Sequence, residues 1–156
     1  MKPLFFSLFI LMASNIYSQE VEMQLSRFPV KNGLIYKDPG HINGLVIKQE
    51  GVLVSANNDS CFATEDGVVR STFNLGSSGY AILIMPTDDR FITYSNFIEI
   101  AVKRGEKIKR GMFIGLLKEK NKQYQLLYML SNNSGNVLPR EKHLEYLKSD
   151  AAMPGL

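Results

Sequence analysis

Between Val102 and Gly115 the apolar residues Val102, Ile108 and Ile114 recur at a spacing of six. They share one parity, so in extended segments they face one side and bury. Lys103, Arg104, Lys107, Lys109 and Arg110 fill positions between them. Gly105 and Gly111 fall where tight turns are needed, because glycine takes positive φ without a Cβ clash. The stretch predicts two short strands and two turns wrapped around a small β core. A bare solvated loop would not keep the apolar parity.

The same patterning continues along the chain. Gly33-Leu34-Ile35-Tyr36, Gly44-Leu45-Val46-Ile47, Val52–Ala56 and Cys61–Thr64 read as short strands. Lys37-Asp38-Pro39-Gly40 and Asn57–Ser60 read as turns, and Asp66-Gly67 as a tight hairpin turn. Val68–Phe73 follows as a strand, then a Gly76-Ser77-Ser78-Gly79 loop tip. Tyr80–Met85 is nearly all apolar, as expected of a central strand covered on both faces. Phe91–Phe97, Ile98–Ile100 and Tyr124–Leu130 complete the strands. Residues 19–27 carry no pattern.

Pro139 stands at a helix start, where its missing N–H costs least. Arg140–Leu147 then predicts a short closing helix with Leu144 and Leu147 on one face. Short strands separated by closely spaced turns make the fold all-β. Residues 28–148 form one domain of short antiparallel strands with a C-terminal helix. Residues 149–156 read as a frayed tail.

The first 18 residues read differently. Lys2 precedes the apolar run Leu4–Ala13 and a small residue, Ser18, which together predict a secretory signal peptide cleaved after Ser18. The run is about half the length a bilayer span requires. No cysteine adjoins the cleavage point to carry a lipid. A periplasmic or secreted mature chain beginning at Gln19 is the expectation.

The chain has 156 residues, enough for one domain, and its apolar fraction of 45% suits a packed globule. Its net charge of +3 is too mild to argue for nucleic acid. The cations do cluster over 103–122. That cluster reads either as a solvated basic face or as a place where an anionic polymer or acidic partner is met. The single cysteine, Cys61, sits in an apolar run and reads as a buried small hydrophobe.

Several of these segments carry a resemblance. Val102, Gly105, Ile108, Gly111 and Ile114-Gly115 are similar to the closing barrel segment of the LytM/lysostaphin-type (peptidase M23-like) zinc metallopeptidases. Biotinyl and lipoyl carrier domains use a similar pattern, but they need a modifiable lysine beside methionine, and the mature chain has no such pair. The order of the other segments fits the peptidase family from Phe28 to Leu147. Phe28-Pro29-Val30 with Gly33 resembles its opening. Asn43–Ile47 resembles its His-x-Gly-Ile-Asp-Ile strand. Ala63–Val69 resembles its Ala-x-x-Asp-Gly-x-Val turn, and Tyr94-Ser95-Asn96-Phe97 its Tyr-x-His-Leu. Gly135–Pro139 resembles its ending. The resemblance implies a duplicated hybrid motif, or barrel-sandwich hybrid.

The departures bear on function. Catalysis in this family implies a zinc held by two His and one Asp, with further His residues assisting. The ligand positions fall at Ile42, Val46 and Leu127, and the assisting histidines at Asn96 and Gln125. Ile, Val and Leu cannot bind zinc, and amide oxygens are weak neutral donors. Only two histidines exist, His41 and His143. Gly44 fixes the register against His41, and His143 reads as a surface residue of the closing helix. The resemblance therefore implies a catalytically dead member with no cofactor.

Such a member is expected to act as a binding or regulatory module in peptidoglycan metabolism. Relatives similar to EnvC and NlpD regulate cell-wall amidases, so an envelope protein such as an amidase, or peptidoglycan itself, is the expected partner. The expected groove residues are Tyr94, Asn96, Gln125, Tyr128 and Met129, unless they simply fill the groove as core. An endopeptidase with an atypical zinc site and a structural subunit of an envelope assembly are the alternatives.

Overall fold

A computed structural model describes residues 20–37, 41–42, 45–46, 50–86 and 89–151. The predicted leader, the turn at 38–40 and the last five residues lie outside this set. The described chain is built on antiparallel strands, with one helix at its C-terminal end.

The strands are β1 Val21–Gln24, β2 Leu34–Tyr36, β3 His41–Ile42, β4 Leu45–Val46, β5 Val52–Ala56, β6 Ser60–Phe62 and β7 Gly67–Asn74. They continue with β8 Tyr80–Met85, β9 Phe91–Ile100, β10 Lys107–Ile108, β11 Phe113–Leu117, β12 Glu119–Lys120 and β13 Gln123–Ser131. The helix α1 spans Arg140–Ala151. One large sheet runs in the order β1-β2-β5-β13-β9-β8-β7-β10, and β11 bridges β6 to β9. β3 and β4 form a separate ribbon, with His41 opposite Val46 and Ile42 opposite Leu45.

Register explains which side chains reach the core. Across β5, β13, β9 and β8 one row reads Val52, Tyr128, Tyr94 and Ile82. All four are fully buried. The next row, Leu53, Leu127, Ser95 and Ala81, lies on the opposite face of the sheet. Val102, Ile108 and Ile114 are buried as their shared parity predicts. Gly105 and Gly111 take φ of +86° and +80°, the left-handed turns expected of them. Cys61 is fully buried, and burial pushes its thiol far above the ordinary range. It is an inert core residue.

Three sequence expectations are corrected. Residues 19–27 hold β1, whose mostly exposed side chains leave no apolar alternation to read. Asp66-Gly67 does not close a hairpin, because β6 pairs with β11 while β7 pairs with β8 and β10. Asp66 instead ties two loops together, accepting from the Arg110 amide at 2.9 Å and from Lys109 Nζ at 2.7 Å. The Lys109 hydrogen bond and then the Arg110 amide hold its carboxyl below the usual range. Gly67 is needed for close approach, since a Cβ there would meet the Met85 carbonyl oxygen at 2.8 Å.

The third correction concerns His143, which is fully buried rather than on the surface. Its Nε2 accepts the Leu130 amide at 2.8 Å, and its Nδ1 lies 3.0 Å from the Pro139 carbonyl. It thereby joins α1 to β13. Leu147 is buried beside it, one turn further along the helix.

Candidate functional site

The site is built on two neighbouring strands, β9 and β13. Asn96 is an extra residue in β9, because Tyr80 pairs with Phe97 and Ala81 with Ser95. Its φ is +77°, a left-handed conformation that asparagine tolerates better than most residues. The bulge is pinned by Lys118, whose amide donates to the Asn96 carbonyl at 2.7 Å. The Lys118 ammonium donates to the Ser77 carbonyl at 2.6 Å and holds down the 76–79 loop tip.

These contacts enclose a cavity of about 310 Å³. Ser77, Ser78, Asn96, Lys118, Glu119, Lys120 and Gln125 line it. Asn96 and Gln125, expected from sequence at the assisting-histidine positions, therefore do come together. Lys118, Glu119, Lys120 and the two serines were not anticipated as a group. The signals were a glycine-flanked Ser-Ser tip and the basic tract that ends at Lys122. Paired amides, hydroxyls and ammoniums suit recognition of amides, hydroxyls and carboxylates.

Tyr94 and Tyr128 do not belong to this cavity. Both are fully buried and lie on the core face. Their rings meet edge to face, with centroids 5.3 Å apart. Thr64 bridges them: its Oγ1 lies 2.7 Å from the Tyr94 hydroxyl and 3.3 Å from that of Tyr128. The Thr64 amide donates to the Tyr94 hydroxyl at 3.0 Å. Burial drives both phenols well above their ordinary range, so neither ionises near neutral pH. They are core residues, as the alternative reading allowed.

Leu127 and Met129 point to the outer face of β13 and are half-buried. Neither lines the cavity. Leu127 stands opposite Leu53 and Ser95. Ile42 and Val46 are described by backbone alone, in the β3–β4 ribbon.

The residues present do not fit a zinc ion. Both nitrogens of His143 are engaged in the fold. Leu127, on β13, has no donor atom. Among the described residues no group of three or more His, Cys, Asp and Glu is placed to hold a metal. The cavity itself offers one carboxylate, Glu119.

The chain belongs to peptidase family M23, whose sequence profile matches residues 47–139. Solved structures share the fold. The solution structure of lysostaphin superposes with a TM-score of 0.61 at 20% identity, covering 88% of this chain and 54% of that one. A zinc-containing peptidase from Vibrio cholerae gives 0.53 at 17% identity, covering 77% of this chain and only 35% of that one. The SpoIIQ–SpoIIIAH pore-forming complex gives 0.53 at 14% identity, covering 77% and 87%. No curated protein matches the chain significantly. The described residues are those of an M23-type fold without a recognisable catalytic metal site.

Proposed function

We propose that the chain is an exported, non-catalytic M23 domain that acts as a binding or regulatory module in peptidoglycan metabolism. The observation that carries this reading is the meeting of Asn96 and Gln125 in one cavity. They stand where the family resemblance places proton-transferring histidines. An amide accepts and donates hydrogen bonds but does not take up a proton near neutral pH. The groove keeps a polar floor for peptide amides or glycan hydroxyls and has lost the means to cleave them.

Within this reading, the module's role is to present cell-wall material to an enzyme, or to regulate one such as an amidase. The occurrence of the same fold in a pore-forming complex supports a second reading, as a subunit of an envelope assembly.

Sedimentation of the mature chain with purified peptidoglycan separates the two. The first reading predicts co-sedimentation that the double change Asn96→Ala, Gln125→Ala weakens roughly tenfold, the usual effect of losing two buried ligand hydrogen bonds. Unaltered sedimentation of the variant, or none by the parent chain, overturns it.

A further inference from the structure

A second cleft opens at the other end of β11. Gly111 lies just before that strand, and Lys118 of the first cavity just after it. The cleft measures about 350 Å³ and is lined by Ser26, Arg27, Phe28, Lys31, Phe62 and Gly111. Its floor is aromatic. Phe28 and Phe62 are half-buried, and Phe62 meets the edge of Phe113 with centroids 6.0 Å apart. Phe113 remains 39% exposed. Gly111 keeps one wall open, since a Cβ there would stand 3.0 Å from Phe28 Cζ.

The rim is cationic. Arg27 and Lys31 are exposed, and no described carboxylate forms an ion pair with either. The Arg110 guanidinium lies over the Phe28 ring, 5.6 Å from its centroid. That stacking holds a cation beside an apolar surface. Arg110, in the middle of the basic tract, thus borders an aromatic cleft.

We propose that this cleft docks an acidic peptide segment of a partner protein. An apolar side chain of the segment rests on the Phe28–Phe62 floor, and its carboxylates meet Arg27 and Lys31 on the rim. Charge complementarity selects an anion. The aromatic floor selects a peptide over a phosphodiester polymer, which has no apolar side chain to place there. The docking does not depend on the cavity at Asn96 and Gln125.

Selection of displayed short random peptides on the untagged mature chain tests this. The recovered peptides are expected to be rich in Asp and Glu around one aromatic or aliphatic residue. The strongest of them should bind the Arg27→Glu, Lys31→Glu variant at least roughly tenfold more weakly, with an unchanged unfolding midpoint, as both positions are exposed. Its affinity should fall as salt is raised. The change Gln125→Ala should leave it untouched. Recovery of nothing, or of peptides without an acidic excess, overturns the proposal. So does equal binding by the double variant. Displacement of the peptide by polyphosphate at equal anion concentration assigns the cleft to a phosphate polymer instead.

Discussion

Tyr94 and Asn96 are two residues apart on β9, and Tyr128 and Gln125 three apart on β13, yet each pair is split between two jobs. The tyrosines fill the core and share hydroxyl contacts with Thr64. The amides line a solvent cavity. A motif locates a residue along the chain, but strand parity and bulges decide the face on which it acts. On β13 the division follows the two-residue period, because Leu126, Tyr128 and Leu130 are buried while Gln125, Leu127 and Met129 are not. On β9 Tyr94 and Asn96 have the same parity, and only the bulge separates them.

The largest expected effect probes the buried side of this division. Tyr94→Ala should destabilise the fold by about 3–5 kcal/mol, the cost of truncating a buried aromatic. Gln125→Ala should change stability by less than about 0.5 kcal/mol, as usual at a site away from the core. Urea unfolding of both variants reads the contrast. Similar losses in the two would erase the distinction between core and cavity.

His143 gives a second, pH-dependent test. His143→Ala leaves the Leu130 amide without its acceptor and should cost about 1–3 kcal/mol near pH 7. Burial holds the His143 imidazole below its ordinary value of 6.5, with Arg140 adding to the effect and the Pro139 hydrogen bond opposing it. The unfolded chain therefore binds the proton more readily than the folded one. The stability gained from the neutral ring is complete above pH 6.5 and is lost as pH falls through the lower folded value. The gap between parent and His143→Ala should narrow on acidification, read as unfolding free energies from pH 7.5 to pH 5. A gap that stays constant would mean that the ring is not held neutral.

A smaller effect sharpens the role of the bulge. Asn96→Val should cost about 1–2 kcal/mol, because a β-branched residue resists the left-handed region. Asn96→Gly should hold stability within about 0.5 kcal/mol, since glycine has no Cβ to strain there. Unfolding midpoints that rank the two variants the other way would place the constraint in the side chain rather than the backbone.

Much of this architecture was legible in the chain. Val102, Ile108 and Ile114 announced their burial by parity, and Tyr80–Met85 is a strand at the bounds its apolar run suggests. The central-strand expectation holds in part: Ala81, Ile82 and Ile84 are buried, while Met85 is 36% exposed. Tyr128 could have been assigned to the core, as it is out of phase with Gln125 and Leu127. Tyr94 could not, because the extra residue at Asn96 is set by pairing between β8 and β9. His143 was legible in hindsight, one helical turn from Leu147. The partners of Asp66 lie 43 and 44 positions away, beyond the reach of any local pattern. The cavity's other lining residues come from a loop tip and from Lys118 with strand β12, which only the fold brings together.

A calorimetric zinc titration of the untagged chain from Gln19 onward, at neutral pH, tests the loss of the metal site most directly. No binding at micromolar zinc is expected, because Leu127 offers no donor and His143 is committed to the fold. Tight binding of one zinc per chain would contradict that loss and return the chain to the hydrolases.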